Sequence, residues 1–357
     1  MLLDNSDSIK FYKMHGLGND FVIIYSDPEI NSHLYQKLIN QESNALISKE
    51  FISSISNRNC GIGFDQLMVV YQNPAYQNSG LIVTIYNADG SQSGACGNGM
   101  RSVAFLLQKL SHNSPTQLSK HHISKPEYNN SKLYNPTTTK GGPKSQFHLL
   151  VTQPTPDLSF KTITTTVEKV ISNKTAIVSA NMGKYLSKTK YLKTNLKYQI
   201  NCYIDIGNPH LIIVVEDPAH IDMIQAKNLS YNKDLFPEQA NISFVILDND
   251  SATVPSYYKP KSKLKSFFPI SEHINSSTPL PIIQIKTFER GVGPTLACGS
   301  AACAALAGCN ALGLVGAKAY IKSEGGELYA EINNGEVILY GDANLVYSGE
   351  YDLNGHS

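Results

Sequence analysis

The 357-residue sequence predicts an α+β fold, rich in strands and divided into two related domains that each carry one distinctive helix. Three observations predict it. Short apolar runs rich in β-branched and aromatic residues recur along the chain, most of them bounded by turn residues. Two segments of helical pattern each open at a Cys-Gly pair. Markers from the first half return, in the same order, in the second half.

The strand candidates are FVIIY (21–25), QLMVVY (66–71), LIVTIY (81–86), HLIIVV (210–215), ISFVIL (242–247), IIQIKTF (282–288) and EVILY (336–340). The helices are CGNGMRSVAFLLQKL from Cys96 and CGSAACAALAGCNALGL from Cys298. The most apolar stretch, Ala297 to Ala317, consists largely of Ala and Gly and is interrupted by Asn310. It barely reaches membrane-spanning length, and it reads as a small-residue helix buried on all sides. Residues 111–156 hold six prolines and five lysines and predict a polar insertion, mostly a mobile loop. A second solvated insertion is expected over 254–279, where Lys alternates with Pro, Ser and Leu.

The duplication rests on three markers. GNDFVIIY at Gly18 returns as GNPHLIIV at Gly207, and GFDQLMVV at 63–70 returns more weakly as QANISFVIL at 239–247. LIVTIYNADGSQSGACGNG returns as IIQIKTFERGVGPTLACGS, with Cys nine residues after Asn87 and after Glu289. GN turns and ACG triplets are common singly, but their shared order is hard to attribute to chance. The domains are placed at 1–168, carrying Cys96 and joined by a returning tail at 346–357, and at 169–345, carrying Cys298. Related halves often pack about a pseudo-twofold axis, and such an arrangement would face Cys96 toward Cys298 across a cleft.

Thirty Lys and Arg against 29 Asp and Glu leave a formal charge of +1, so no global field recruits nucleic acid or an anionic membrane. Hydrophobic content of 41% rules out simple disorder. Six cysteines, at 60, 96, 202, 298, 303 and 309, are too sparse for a disulfide scaffold and form no CxxC pair. MLLDNSDSIK at the start does not suit a secretory signal, and a cytoplasmic location is expected.

A helix N-terminus offers unpaired N–H groups and partial positive charge, so it holds a carboxylate and lowers the pKa of a neighbouring thiol. An ordinary thiol with pKa about 8.5 is only about 3% thiolate at pH 7, and half ionisation needs roughly 2 kcal/mol. Favourable helix termini supply up to about that much. Two such thiols suit proton transfer at a carbon beside a carboxylate: one removes the α-proton and the other returns a proton to the opposite face, with no cofactor. Converging N–H groups match the charge that develops on the carboxylate. A redox pair, a zinc site and buried structural cysteines compete with this reading, although clustered zinc ligands are absent from the sequence pattern.

KMHGLGNDF, GIGFDQLMVV, NADGSQSGACGNGMR, GNPH, FPEQANISF and FERGVGPTLACGSAACA together resemble the diaminopimelate epimerase family. The resemblance runs from Lys13 to the C-terminal region, interrupted by the two insertions and by extra residues around 41–57. It implies two similar pseudo-symmetric domains, each a β-rich layer wrapped around a central helix. It further implies a cytoplasmic, cofactor-independent homodimeric isomerase of lysine and peptidoglycan-precursor synthesis that interconverts LL- and meso-diaminopimelate, with no metal. By motif, Cys96 and Cys298 are the catalytic pair, and the N–H groups of Gly97, Asn98, Gly299 and Ser300 cradle the reacting carboxylate. Asn19, Gln66, Asn87, Asn208, Asn241, Glu289 and Arg290 line the rest of the substrate site. Arg290 suits a distal carboxylate. Glu289 suits an ammonium group or tuning of a thiol, and His210 resembles the histidine that adjusts the cysteine pKa values.

His15, Asp20, Asp65 and Asp89 read as turn or hydrogen-bonding residues at strand ends, and Cys303 and Cys309 as small buried residues. Gln239, Pro294 and Ala301 depart from the family pattern, which has Arg, Glu and Gly there; the first removes a positive charge close to Asn241. Two other functions remain open. One is a two-cysteine racemase acting on proline, hydroxyproline or another amino acid, against which the Glu289–Arg290 pair argues. The other is a thiol-redox sensor.

Overall fold

A computed structural model describes residues 8–40, 47–76, 79–94, 96–113, 134–139, 142–155, 159–188, 201–248 and 280–353. The chain divides into two compact units, Met1–Ala180 with Asp342–Ser357, and Asn181–Gly341.

The first unit is built from β1 (Ser8–Gly16), β2 (Asn19–Ser26), α1 (Ser32–Ile39), α2 (Lys49–Ser56), β3 (Gln66–Tyr71), β4 (Leu81–Asn87), β5 (Gln92–Ser93), α3 (Gly97–Asn113), β6 (Tyr134–Thr139), β7 (Gly142–Thr152), β8 (Phe160–Ser172) and the start of β9 (Thr175–Lys184). β1 pairs antiparallel with β2, β2 parallel with β3, and β3 antiparallel with β4. β4 forms a hairpin with β5 and runs parallel to β7, after which β7, β8 and β9 continue antiparallel.

The second unit holds the end of β9, β10 (Leu186–Lys188), β11 (Asn201–Asp205), β12 (Pro209–Val214), α4 (Met223–Ser230), β13 (Asn241–Asp248), β14 (Ile282–Glu289), β15 (Gly293–Thr295), α5 (Gly299–Ala311), β16 (Lys318–Ser323), β17 (Gly326–Asn333) and the start of β18 (Glu336–Asp352). Its pairings repeat those of the first unit step for step. β11 is antiparallel to β12, β12 parallel to β13, and β13 antiparallel to β14. β14 forms a hairpin with β15 and lies parallel to β16, and β16, β17 and β18 follow antiparallel. The duplication inferred from three sequence markers is therefore a duplication of topology.

The runs in β2, β3, β12 and β13 are near-continuously apolar because both faces of these strands are covered, whereas β14 alternates buried Ile283 and Ile285 with Gln284 and Lys286. In the first unit Val22, Ile24, Leu67 and Val69 pack with Leu34, Leu38, Ile52 and Ile55 of α1 and α2. Met68, between Leu67 and Val69, reaches the first turn of α3 instead. In the second, Leu211, Ile213, Ile242 and Phe244 pack with Ala226 and Leu229 of α4. Each layer wraps a central helix. α3 packs on β1, β2, β7 and β8, and α5 packs on β10 to β14 and on β16 and β17. Small residues let strands approach α5 closely: a Cβ at Gly308 would lie 3.1 Å from Ile212 Cγ1. α5 ends in a Schellman arrangement, with Gly313 at φ +73° and Leu314 N–H donating to the Cys309 carbonyl. The Ala297–Ala317 stretch is thus a buried helix and its cap.

The structure changes two expectations. The polar insertion expected over 111–156 is much shorter, because Gly142–Thr152 is a strand between β4 and β8 and Tyr134–Thr139 pairs with it. Lys, Pro and Gly on its flank hid the apolar run FHLLV, whose Phe147, Leu149 and Val151 are buried. The unit boundary falls at 180/181 rather than 168/169, because β8 is paired on both sides within the first unit and carries the start of β9 with it. The tail rejoins the first unit from Asp342, where β18 pairs with β1. Residues 114–133 and 249–279, including the second expected insertion, lie outside the described residues.

Leu149 is fully buried in β7. Leu149→Ala should cost about 2–5 kcal/mol in denaturant unfolding, as for a core leucine. A loss within about 0.5 kcal/mol, the range of a surface loop, would contradict the strand assignment.

Candidate active site

The repeated topology places the expected site residues at matched positions. β2 and β3 start, and β4 ends, at one edge of the first layer, which puts Asn19, Gln66 and Asn87 side by side. β12, β13 and β14 do the same for Asn208, Asn241 and Glu289. The hairpin β4–β5 leads to Cys96 and α3, and β14–β15 leads to Cys298 and α5. Asn19 matches Asn208, Gln66 matches Asn241, Asn87 matches Glu289, Cys96 matches Cys298, and Asn98 matches Ser300.

In the first unit Cys96 Sγ donates to Asn19 Oδ1 at 3.8 Å and accepts from Gly99 N–H at 3.3 Å. Asn98 Nδ2 also donates to Asn19 Oδ1, at 3.5 Å, while Asn98 Oδ1 accepts from the buried Arg101. Gln66 Nε2 donates to Asn87 Oδ1 at 3.0 Å, and Asn87 Nδ2 donates to Ser91. The N–H groups of Gly97 and Asn98 belong to the first turn of α3, where the helix supplies no acceptor.

In the second unit Cys298 is the N-cap residue of α5, and its Sγ lies 3.4 Å from Ser300 Oγ. That hydroxyl is a hub, taking Asn208 Nδ2 at 3.3 Å and facing His210 Nε2 at 3.1 Å. His210 Nε2 also faces Asn208 Oδ1 and Asn241 Nδ2. Asn241 Oδ1 accepts from the Arg290 backbone N–H, Arg290 Nη1 donates to the Glu238 carbonyl, and Thr295 Oγ1 donates to Glu289 at 2.6 Å.

Electrostatics separate the halves. Desolvation and the charge of Glu289 push the Cys298 thiol well above its ordinary value, against weaker lowering by Ser300 and the Ala301 N–H. At this thiol the lowering expected of a helix terminus is opposed by burial and by a neighbouring carboxylate. Burial, helped by the charge of Arg290, pushes His210 down to about 3, so its ring is neutral at neutral pH. The positions matching Glu289 and His210 in the first unit are the uncharged Asn87 and Phe21.

A sequence model of the diaminopimelate epimerase family matches residues 11–122. A diaminopimelate epimerase of Blochmanniella floridana is 30% identical over an alignment covering 97% of this chain and 100% of the relative. The chain belongs to the diaminopimelate epimerase family. A family member from Acinetobacter baylyi is 27% identical, with 97% of this chain and 98% of the relative covered. Among solved structures, a hydroxyproline epimerase from Agrobacterium vitis superposes with a TM-score of 0.55 at 10% identity, covering 98% of this chain and 94% of the other. A probable proline racemase from Agrobacterium radiobacter gives 0.54 at 12%, with the same coverage. These two share the fold. Membership of the family makes the protein an isomerase of the epimerase type.

Three side chains at the site went unread in the sequence: the Ser300 hydroxyl, expected only for its N–H, Thr295, and Arg58, which joins Asp20 and Asp65 beside Asn19. Their signal was proximity to the quoted motifs, since Arg58 lies five residues before GFDQ and Thr295 three before Cys298. Among the described residues, no group of three or more His, Cys, Asp or Glu could hold a metal ion.

The depressed His210 makes stability depend on pH in a definite direction. Below the unfolded value of about 6.5 the unfolded chain holds a proton that the native chain lacks, so stability is full above that pH and falls as pH drops toward 3. Between pH 8 and pH 5 the wild type should lose about 2 kcal/mol more than His210→Gln, which has no such proton. Equal losses in denaturant titrations would contradict a buried neutral ring.

Proposed function

We propose that this isomerase interconverts LL- and meso-2,6-diaminopimelate without a cofactor, using Cys96 and Cys298 as its two acid–base groups. The observation that carries the reading is the matched placement of one thiol per unit, each immediately before a buried helix at the same layer edge. Family membership supports the substrate.

One sulfur, as thiolate, takes the α-proton and becomes a thiol, while the C–H electron pair moves onto the carboxylate as an enediolate. The other thiol then gives its proton to the opposite face of the carbon and is left as thiolate. Atoms and charge balance, and the configuration inverts. The raised pKa of Cys298 suits it to enter the cycle protonated. N–H groups of Gly97, Asn98, Gly299 and Ser300 meet the developing charge on the carboxylate. Neutral His210 orients Ser300 and Asn208 beside Cys298. Glu289 and Arg290 take the distal ammonium and carboxylate, and Asn19, Gln66, Asn87, Asn208 and Asn241 complete the polar lining. The resemblance carries with it a cytoplasmic homodimer working in lysine and peptidoglycan-precursor synthesis. Among the described residues, no helix is long and apolar enough to cross a membrane.

The direct test is incubation with LL-diaminopimelate in the absence of pyridoxal phosphate, with chiral chromatography of the product. Conversion to a mixture with the meso form is expected, and no conversion would refute the reading. Cys96→Ala and Cys298→Ala should each lower the rate at least about 10²-fold while leaving the fold intact. Near-normal activity in either would exclude the two-thiol mechanism.

Arg290→Ala should reduce kcat/KM about thirtyfold or more on diaminopimelate, as loss of one partner of a buried charged contact does. Slow α-exchange on an amino acid lacking the distal end should hardly change. Equal losses on both substrates would move Arg290 to the reacting carboxylate.

A further inference from the structure

Beside Cys96 lies a cluster of charge that the reaction scheme does not use. Arg58 donates from both terminal nitrogens to Asp20, at 2.8 Å each, and from Nη2 to Asp65 Oδ1 at 2.7 Å. Lys13 Nζ donates to Asp20 Oδ2 at 2.6 Å and to the Gly63 carbonyl. Burial alone would raise the Asp20 carboxyl, but hydrogen bonds from Arg58 and Lys13, with their charges, hold it well below the usual range. The other Asp65 oxygen accepts from Asn19 Nδ2 at 2.9 Å and from the Asp20 backbone N–H at 3.1 Å.

Stability does not account for the whole cluster. The Arg58 side chain is 57% exposed and that of Asp65 43%, and exposed ion pairs contribute only about 0–1 kcal/mol. The consequence for Asn19 is sharper. A carboxylate only accepts, so the Asn19 atom that faces Asp65 must be the amide nitrogen. The carbonyl oxygen is then forced toward Cys96 Sγ and Asn98 Nδ2.

The second unit lacks this clamp. Pro209 and Ala240 stand where the first unit has Asp20 and Asp65, as the paired positions Phe21–Gln66 and His210–Asn241 require. There His210 holds the matching Asn208, whose Nδ2 points at Ser300 and whose Oδ1 faces the ring. The two equivalent asparagines therefore present opposite polarity to their cysteine loops.

We infer that Asp65, braced by Arg58 together with Asp20 and Lys13, is a positioning residue that fixes the amide of Asn19 with its oxygen toward Cys96. An acceptor there stabilises the S–H formed when Cys96 takes a proton, which makes Cys96 a stronger base, and it admits a donor rather than a carboxylate beside this thiol. The catalytic part of the inference rests on the proposed function; the effect on the thiol does not.

The test is a double-mutant cycle with two readouts: epimerisation rate, and alkylation of Cys96 by iodoacetamide at pH 7, located by peptide mass spectrometry and needing no substrate. Asn19→Ala and Asp65→Leu should each lower kcat/KM about tenfold or more, and the double variant should match Asn19→Ala alone within about threefold. Asp65→Asn, which keeps an acceptor oxygen, should recover most of the rate. Cys96 should alkylate severalfold faster in Asp65→Leu, with no further gain in the double variant. Asp65→Ala, at a side chain 43% exposed, serves if Asp65→Leu does not fold; it should accelerate alkylation in the same sense, again only when Asn19 is present. Losses that multiply in the double variant, or alkylation left unchanged or slowed, would overturn the inference. An enzyme inactive on diaminopimelate whose Cys96 still alkylates as described would refute the proposed substrate and leave the clamp standing.

Discussion

A helix buried on all sides constrains everything else in each unit. Gly97 to Gln108 of α3 and almost every residue of α5 are shielded from water, and α3 buries Asn98, Arg101, Ser102 and Gln108 among its apolar residues. Strands surround each helix, and the helix N-terminus is the place where backbone donors remain without helical partners. A side chain placed just before that terminus meets unpaired N–H groups inside a layer of apolar residues. The Gly99 N–H on Cys96 and the Ala301 N–H on Cys298 are the direct result. Small residues are the cost of this packing: a Cβ at Gly99 would run into the Met68 side chain, and one at Gly308 would crowd Ile212.

Duplication supplies two such termini, and divergence makes them unequal. The strand-edge positions correspond throughout, yet Glu289 stands where the first unit has Asn87, His210 where it has Phe21, and Pro209 and Ala240 where it has Asp20 and Asp65. Charge accompanies the thiol directly in the second unit, through Glu289. In the first it acts one residue removed, through Asn19. In the proposed two-thiol reaction one sulfur holds the proton that the other lacks, and the raised Cys298 is suited to the protonated role. Neutral His210 fits that division, since its deep burial excludes a third proton from the network.

Much of this was readable in the sequence, for physical reasons. Strands covered on both faces are near-continuously apolar, so β2, β3, β4, β12 and β13 announced themselves. β14 showed through its alternation of buried isoleucines with Gln284 and Lys286, and a helix of Ala, Gly and Cys could only be buried. Other strands with one mixed face were missed. β8 reads FKTITTTVEKV and buries Ile163 and Val167 between threonines, and β16 and β17 alternate charge with apolar residues. β7 was hidden by its Pro, Gly and Lys flank. At the site, the duplication and the helix-opening Cys-Gly pairs singled out Cys96 and Cys298, while the asparagines around them came from the family resemblance. Orientation was beyond reach: that Ser300 works through its hydroxyl, or that Asp65 dictates which end of Asn19 meets a thiol, depends on contacts between distant segments. The direction of the Cys298 shift was unreadable for the same reason, since it follows first from burial and then from how closely Glu289 approaches.

The central claim, one thiol per unit acting in turn on a single carbon, is tested most directly by where solvent hydrogen goes during the first few per cent of conversion in D₂O. Two separate proton carriers predict that the product carries deuterium at its inverted carbon while the remaining LL substrate keeps protium, as read by mass spectrometry of the separated isomers. Deuterium appearing equally in both isomers, or protium carried from substrate into product, would mean that a single group handles the proton on both faces and would contradict the account.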